Sequence, residues 1–501
     1  MGWLTIHTEV RLSERYNAPS DLSSTIRDSL CVPRRQRHTR HARRATTYRN
    51  STAGRTDGGQ RSTSSEALRT GGCPGFMEPE PPIIATTAIG GGIVFSREER
   101  ERHLYIVGKS GAGKSTVLFN LAMHDIMAGE GMAVIDPHGD LAEAIIDAIP
   151  PERTHDVCYF NVADGDYPVG FNSIARVPRK RHALAATGIV AAFKHLWGDS
   201  WGPRLEHFLF HGVAALLESP RPTLIDLARI YTDADFRSRI VCRIRDPIIA
   251  HFWMGEYASY DQRFQAEAAS SILNKVGQLT ASPVLRNILG QVAPKFDLAY
   301  AMEYRGIFIA NLAKGQIGEQ ASNLLGSLLL SHLQLVAMAR SDQVPETRAP
   351  FFVHVDEFQS FSTDAFASVL SEARKFATHF SLANQYTDQL SDSVRAAVLG
   401  NAATLMVFRV SAADATLLAP EFHPLPAHEL VDQSPYRAWL RRGDSNQRPV
   451  FVSPRLFGSR RRRDTVIAQS RRNFGRAHAA IERNFNTSNQ KGKGTPNSWL
   501  R

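Results

Sequence analysis

Residues 103–116 read HLYIVGKSGAGKST, a short apolar run followed by a glycine-rich turn, a lysine and a hydroxyl residue. They match the phosphate-loop pattern G-x-x-x-x-G-K-[ST] at every fixed position, which are Gly108, Gly113, Lys114 and Ser115. The run before the turn predicts a strand, and apolar residues repeat at helical spacing after it. A strand, a turn and a helix therefore follow one another in the order that a phosphate loop requires.

The residue types in this turn indicate how it would hold a nucleoside triphosphate. Gly111 and Gly113 allow the backbone to curl so that its N–H groups face the phosphates. Lys114 is expected to reach the β and γ oxygens, and the Ser115 hydroxyl to ligate Mg²⁺ at a helix N-terminus whose dipole favours the anion. ATP and Mg²⁺ are the expected cofactors.

A second apolar run, FFVHVDEFQSF at residues 351–361, carries two adjacent carboxylates, Asp356 and Glu357. Because α/β sheets bind ligands at the carboxyl ends of their strands, this pair is expected to face the nucleotide. Asp356 is placed to hold the Mg²⁺ water shell, and Glu357 to polarise the attacking water. A surface acidic pair after a core strand is the alternative, and the intact phosphate loop favours the catalytic interpretation.

The stretch FSLANQ at residues 380–385 predicts a further strand that ends in Gln385. In P-loop ATPases with an acid after the metal-binding aspartate, the next strand lies beside the phosphate-loop strand, and its terminal polar residue senses the γ-phosphate. Gln385 suits that role. A glutamine that caps the following turn is the alternative.

The next run, ATLMVFRV at residues 403–410, places Arg409 among apolar residues, where an arginine needs an anionic partner or water. An arginine finger that acts across a subunit boundary would meet this need. Arg374 and Arg395 compete for the finger role, and a structural salt bridge is an equal alternative for Arg409.

The stretch VIDPHGD at residues 134–140 carries two more acids, Asp136 and Asp140. A contact with the outer shell of the metal is one interpretation. A turn and a helix cap around Pro137 and Gly139 is favoured, because these residue types are typical of such turns.

Seven short apolar runs, mostly joined by helical stretches, predict a mainly parallel, doubly wound α/β sheet. The runs lie at residues 103–108, 131–136, 156–161, 306–312, 351–357, 380–385 and 403–410. No strand-like run lies within residues 176–295, and their pattern instead predicts an all-helical insertion. The ATPase domain is then expected in two parts, residues 77–175 and 296–455.

The net charge of +10 is concentrated in the two ends of the 501-residue chain. Residues 1–76 hold 13 Arg and 6 acidic residues, a net charge of +7, whereas residues 77–454 carry −7. We interpret residues 1–76 as a disordered basic segment, and Met77 as the true start of the protein. Residues 456–501 are interpreted as a basic tail whose SRRRRD stretch either binds phosphate backbones or is simply solvated.

The four cysteines share no short spacing, so neither a disulfide framework nor a zinc site is predicted. The most apolar windows are residues 83–95, which is too short to span a bilayer, and residues 323–339, which contains polar side chains and predicts a core helix. The expectation is a protein without a transmembrane segment in a reducing, cytoplasmic compartment.

On these motifs the chain resembles the FtsK/HerA superfamily of P-loop motors, and most of all its coupling-protein (TraD/TraG-like) and HerA-like branch. The resemblance covers about residues 85 to 455. It rests in chain order on HLYIVGKSGAGKST, VIDPHGD, GIFIANLAKGQIGE, FFVHVDEFQSF, SLANQYTDQL and LGNAATLMVFRVS. The phosphate loop and the acidic pair are common to many ATPases, whereas the glutamine followed by LGN and a strand with an arginine is more specific.

The resemblance implies a RecA-like ATPase fold with a role for each motif residue. Nucleotide contacts are implied for Gly108, Gly111, Ala112, Gly113, Lys114, Ser115 and Thr116. Magnesium is implied at Ser115 and Asp356, water activation at Glu357, phosphate sensing at Gln385 and a trans contact at Arg409. Similar proteins form hexameric rings around DNA and translocate it. Coupling proteins usually carry N-terminal membrane helices and none is predicted here, so recruitment by a membrane partner is one expectation.

The sequence therefore leads to three hypotheses. The first is a hexameric DNA-translocating ATPase of a conjugative, mobile-element or type IV secretion-like system, with secretion or relaxosome proteins as partners. The second is a secretion ATPase that acts on protein. The third is a binding module that ATP gates without motor activity.

Overall fold

The computed structural model describes residues 83–87, 89–443 and 446–483, so the predicted basic segment 1–76, Met77 and the end of the predicted tail lie outside the described residues. Within the described residues, eleven strands form one sheet in the order β2-β1-β11-β10-β9-β3-β8-β7-β4-β6-β5. The strands are β1 (Ile83–Thr86), β2 (Gly92–Val94), β3 (Leu104–Val107), β4 (Gly131–Asp136), β5 (Val157–Asn161), β6 (Ile307–Asn311), β7 (Phe351–Val355), β8 (Thr378–Asn384), β9 (Thr404–Val407), β10 (Arg437–Arg442) and β11 (Asn446–Val452).

The seven strands from β9 to β5 in this order are mutually parallel, and each corresponds to one of the seven predicted runs. The strands beyond β9 are antiparallel and extend the sheet on one side. The predicted fold class, a mainly parallel α/β sheet, is confirmed. The antiparallel extension by β10 and β11 is a feature that the apolar runs did not indicate.

The phosphate-loop strand β3 is the sixth of the eleven strands, in the middle of the sheet, between β8 and β9. Its residues alternate between the two faces of the sheet: Leu104 and Ile106 pack into one apolar core, and Tyr105 and Val107 into the other. All four residues are buried. A strand covered on both faces is expected to be apolar throughout, which explains why its sequence shows no alternation.

Helices cover both faces of the sheet. They are α1 (Arg97–Arg100), α2 (Lys114–Met127), α3 (Asp140–Ala148), α4 (His182–Trp197), α5 (Pro203–Leu217), α6 (Asp226–Thr232), α7 (Ala234–Val241), α8 (Pro247–His251), α9 (Tyr257–Ser259), α10 (Gln262–Ala281), α11 (Pro283–Leu289), α12 (Leu298–Glu303), α13 (Lys314–Ile317), α14 (Glu319–Ala339), α15 (Asp364–Ala373), α16 (Asp392–Asn401), α17 (Ala412–Leu418), α18 (His428–Val431) and α19 (Arg463–Phe474).

The interval between β5 and β6 is helical in the structure, from α4 to α12. Pro203, Pro247 and Pro283 each occupy the first position of a helix, where the missing N–H of proline has no intrahelical partner to lose. Apolar residues of these helices, such as Phe193, belong to the same buried cluster as Val353 of β7. The helical interval therefore shares its core with one face of the sheet.

One segment of the described residues, Glu319–Asp342, is long and apolar enough to cross a membrane by length and composition alone, and it includes α14. Of its apolar window, 72% is buried inside the protein. Leu325, Leu328 and Leu333 of α14 are fully buried. This packing agrees with the prediction of a core helix for residues 323–339.

The described part of the predicted basic tail is not simply solvated, which corrects that expectation for these residues. It forms α19, whose Val466 is fully buried and whose Ser470 hydroxyl accepts a hydrogen bond from the Tyr159 amide in β5 (2.8 Å). In the SRRRRD stretch, Arg463 forms an ion pair with Glu143 (2.7 Å). These contacts fix α19 against β5 and α3.

Candidate active site

The phosphate loop connects β3 to α2 and is held by the two strands that flank β3. The amide of Gly108 donates to the carbonyl of Asn384, the last residue of β8 (3.3 Å). The amide of Lys109 donates to the carbonyl of Arg409, two residues beyond the end of β9 (2.9 Å). The loop therefore starts at the carboxyl edge of the parallel strands, where α/β proteins bind their ligands.

The glycines of the loop are required by its shape. Gly111 and Gly113 have φ angles of +73° and +119°, in the region that glycine adopts without steric cost. At Gly108, a Cβ atom would lie 2.5 Å from the Cβ atom of Phe408. The loop thus has the curled backbone that the sequence pattern predicts.

Lys114, the first residue of α2, is buried and folds back over the loop. Its Nζ donates to the carbonyls of Gly108 (2.7 Å) and Lys109 (3.2 Å). Burial lowers the pKa of Lys114, while the nearby carboxylates of Glu357 and Asp356 oppose the shift. The amine therefore already lies above the loop, where the phosphate oxygens of a bound nucleotide would replace the two carbonyls.

Ser115 and Asp356 lie side by side, although 241 positions separate them in the sequence. The Ser115 hydroxyl donates to Oδ2 of Asp356 over 2.7 Å. The amide of Asp356 donates to the carbonyl of Ile135 in β4 (3.0 Å), which fixes the residue just beyond the end of β7. A hydroxyl and a carboxylate are the oxygen ligands that Mg²⁺ accepts beside a nucleotide, so this pair fits the expected metal.

Asp356 has only 6% of its surface exposed. Burial raises the pKa of its carboxyl group to about 6, and the charges of Asp136 and Glu357 act in the same direction. The hydrogen bond from Ser115 and the charge of Lys114 oppose the shift. A buried carboxylate with this surplus of negative neighbours is a favourable place for a cation.

Glu357 follows directly and has a left-handed backbone, with φ of +46°. Each oxygen of its carboxylate accepts a side-chain amide: Oε1 from Gln385 (2.7 Å) and Oε2 from Gln359 (2.6 Å). Left-handed backbone in a residue with a side chain is costly, and it recurs where a functional group must be aimed. The two amides fix the direction of the carboxylate beside the phosphate loop.

Gln385 comes directly after β8, and β8 pairs in parallel with the phosphate-loop strand β3. The strand insertion expected from the sequence is therefore present. The contact between Gln385 and Glu357 brings together the end of β8 and the acidic pair after β7, two elements that are separate in sequence. The sensing role itself stays a prediction.

The structure corrects the expected environment of Arg409. Strand β9 ends at Val407, Phe408 is buried, and Arg409 is exposed two residues beyond the strand. The side chain is therefore not buried in an apolar run and does not require an anionic partner. Its carbonyl contacts Lys109 of the same chain, so the residue stands beside its own phosphate loop. The trans contact remains a prediction.

Asp136 acts as a cap, as the sequence favoured. Its carboxylate accepts hydrogen bonds from the amides of His138 and Ala142, both 2.9 Å long, and so connects the end of β4 to the start of α3. Asp140 is the first residue of α3 and is exposed.

Sequence reasoning missed Gln359, although it lies two residues after Glu357 in FFVHVDEFQSF. The residue is part of the short 3-10 turn Phe358–Ser360 that begins at the left-handed Glu357. The only available signal was a second amide residue near an acidic pair.

Comparisons with known proteins identify the fold. No protein-family model and no curated protein sequence gives a match. The plasmid coupling protein TrwB in complex with the non-hydrolysable ATP analogue ADPNP aligns with a TM-score of 0.56 at 17% identity, over 76% of this chain and 92% of that chain. TrwB with ADP and Mg²⁺ aligns over the same shares with a TM-score of 0.54 at 16% identity.

VirB4 of Thermoanaerobacter pseudethanolicus aligns with a TM-score of 0.50 at 14% identity, over 76% of this chain and 98% of that chain. At these identities the likeness concerns the fold. The expected resemblance to the coupling-protein branch is confirmed at that level, and this chain has the RecA-like P-loop ATPase fold of TrwB.

Proposed function

We propose that this chain is a Mg²⁺-dependent ATPase that works as a DNA-translocating ring motor in a conjugative, mobile-element or type IV secretion-like system. The observation that carries the ATPase part is the hydrogen bond between Ser115 and Asp356, with Glu357 adjacent. It joins the phosphate loop and the acidic pair into one site at the carboxyl edge of the sheet. The TrwB structures with ADPNP and with ADP and Mg²⁺ support the same ligands for this fold.

Each group of the site has a separate task in this proposal. The loop amides from Gly111 to Thr116, with Lys114, bind the phosphates, and Ser115 and Asp356 hold Mg²⁺, which neutralises charge on the phosphates when bound. Glu357 accepts a proton from the attacking water. Gln385 reports the state of the γ-phosphate to Glu357, because its amide donates to that carboxylate.

DNA as the moving substrate rests on the family resemblance and on the likeness of fold to a plasmid coupling protein. The proposed assembly is a homohexameric ring, because nucleotide sites at subunit boundaries allow an arginine of one subunit to complete the site of the next. Arg409 is the proposed finger, with Arg374 and Arg395 as competitors. We place the motor in the cytoplasm, recruited to the membrane by secretion or relaxosome partners.

A second candidate, a secretion ATPase that acts on protein, has two observations in its favour. Residues 77–454 carry a net charge of −7, which does not attract a polyanion by itself. VirB4 also shares the fold. A ring with a locally basic pore is compatible with DNA, and the two substrates predict different responses of ATP hydrolysis to DNA.

The test is ATP hydrolysis by the full chain at low salt, measured without DNA, with single-stranded DNA and with double-stranded DNA. The oligomeric state is read in parallel by light scattering, and a Lys114→Ala preparation gives the background. The motor account predicts that DNA stimulates hydrolysis and that hydrolysis rises with assembly. Hydrolysis indifferent to both DNA forms in the assembled state would reject DNA translocation and favour protein as the substrate.

A further inference from the structure

An exposed aromatic ring lies against the phosphate loop. Tyr436 directly precedes β10, and 48% of its surface is exposed. A Cβ atom placed on Gly113 would lie 2.9 Å from Cδ1 and 3.5 Å from Cε1 of this ring. The tyrosine ring therefore packs directly on the glycine that immediately precedes α2, the phosphate-binding helix.

Backbone hydrogen bonds connect Tyr436 to the phosphate loop on one side and to β11 on the other. Its amide donates to the carbonyl of Ala112 in the loop (3.0 Å), and its carbonyl accepts from the amide of Val452 at the end of β11 (2.8 Å). The φ angle is +62°, which is unfavourable for a residue with a side chain. A costly conformation that is fixed by two hydrogen bonds next to a ligand site is typical of a residue that must be aimed.

Core packing does not account for the ring. Phe408, which also contacts Gly113, is fully buried and fills the apolar core below the loop. Tyr436 instead keeps about half of its residue surface in water. Its hydroxyl makes no hydrogen bond with any residue in the described part of the chain. The exposed face is thus available to a planar ligand.

We propose that Tyr436 is the platform on which the base of the bound nucleotide stacks. This inference rests on the proposed binding of ATP at the loop. The loop amides hold the phosphates, and the ribose and base must leave the loop beside the start of α2, where the ring lies. Aromatic side chains stack on nucleobases because every base presents a π face. Stacking of this kind does not distinguish one base from another, so nucleoside triphosphates in general are the ligand class.

The test compares a ligand that has a base with one that lacks it. Dissociation constants of ADPNP and of inorganic tripolyphosphate, each with Mg²⁺, are measured by calorimetry for the wild-type chain and for Tyr436→Ala. The inference predicts that ADPNP binds roughly 5- to 100-fold more weakly to the variant, as the loss of one base–aromatic stack implies. Tripolyphosphate should bind equally well to both chains. Equal weakening of both ligands would show that Tyr436 only supports the loop, and would overturn the inference.

Two further variants separate stacking from folding. Tyr436→Phe keeps the ring and should bind ADPNP within about twofold of wild type. Tyr436→Leu keeps apolar contact with Gly113 without a π face and should lose ADPNP affinity, which keeps the inference testable if the alanine variant does not fold. Equal affinity of the Tyr436→Leu and Tyr436→Phe chains for ADPNP would overturn the inference. Tyr300→Ala, at an exposed tyrosine on α12, the helix that precedes β6, is the matched control. Failure of the wild-type chain to bind either ligand would instead reject the proposed ATPase function.

Discussion

The two ends of the parallel strands use buried polar groups in opposite ways. At the amino end of β3, both ring nitrogens of His103 are engaged: Nδ1 accepts from the Phe380 amide (3.0 Å), and Nε2 lies 3.1 Å from the Leu370 carbonyl. Beside it, Nδ1 of His379 lies 2.9 Å from the Glu101 carbonyl. Burial lowers the pKa of His103 to about 4 and that of His379 to about 3. Both are neutral rings that connect backbone segments.

At the carboxyl end of the same strands, the buried groups carry charge that the protein only partly compensates. Burial raises the pKa of Asp356 to about 6 and lowers that of Lys114, so both charged forms are disfavoured in the chain without ligand. Glu357 has a strained backbone. Metal and phosphate would supply the missing opposite charges.

We infer from this difference that buried polar groups at the amino end serve stability and those at the carboxyl end serve function. The histidines at the amino end have their hydrogen-bond partners without a ligand, so changes there should alter the free energy of unfolding. The charged groups at the carboxyl end lack some of their opposite charges without a ligand, so changes there should alter nucleotide binding or hydrolysis. Substitutions on either side can break this division.

The larger of two expected effects is at the amino end, where His103→Gln should flatten the acid dependence of stability. The unfolded chain protonates this histidine at its ordinary pKa of 6.5, and the folded chain only at about 4. The free energy of unfolding of the wild type therefore falls as pH drops from about 6.5 to 4, by about 3 kcal/mol from this group alone. A glutamine does not titrate and removes that fall.

Urea unfolding at about pH 7, 5.5 and 4.5 measures this difference. His428→Gln, at an exposed position on α18, is the matched control, and its profile should follow the wild type. ATP affinity at neutral pH should be unchanged in His103→Gln. If the free energy of unfolding of His103→Gln falls with pH as steeply as that of the wild type, the neutral His103 does not contribute to stability as proposed.

The smaller expected effect is at the carboxyl end. Gln359→Ala removes the amide that donates to Oε2 of Glu357, so the carboxylate is aimed less well. Turnover should fall by roughly fivefold, corresponding to about 1 kcal/mol, with ATP affinity and stability unchanged. Steady-state kinetics together with thermal unfolding provide the measurement. Gln389→Ala, an exposed glutamine after β8, is the control, and a large loss of stability in Gln359→Ala would show a structural role.

The sequence allowed the parallel part of the fold to be predicted because its strands are buried on both faces and so appear as continuous apolar runs. The hairpin of β10 and β11 was not predictable in the same way. Arg437, Arg441 and Arg442 lie in β10, and Pro449 lies within β11 opposite Trp439. Strands that contain charged residues and a proline are not detected by a pattern based on apolar residues.

The candidate site was predictable where a motif fixes spacing and unpredictable where tertiary contacts decide. Lys114, Ser115 and Asp356 are recognisable because phosphate and metal chemistry demand those residue types. The environment of Arg409 depends on a strand that ends two residues earlier, and Gln359 contacts Glu357 within a 3-10 turn that no motif marks in the sequence. The α19 helix was not predicted because few of its residues are apolar, and it docks through the buried Val466 together with polar contacts of Ser470 and Arg463.

The central claim, that the carboxyl end is built for hydrolysis rather than for binding alone, is tested most directly with Glu357→Gln. Occupancy of Mg²⁺-ATP and its turnover are measured on the same preparations of variant and wild type. Glutamine retains size and hydrogen bonding but cannot accept the proton of the attacking water. The prediction is equal occupancy with turnover reduced about 10²- to 10⁴-fold, the usual contribution of a general base. Turnover equal to that of the wild type would contradict the account.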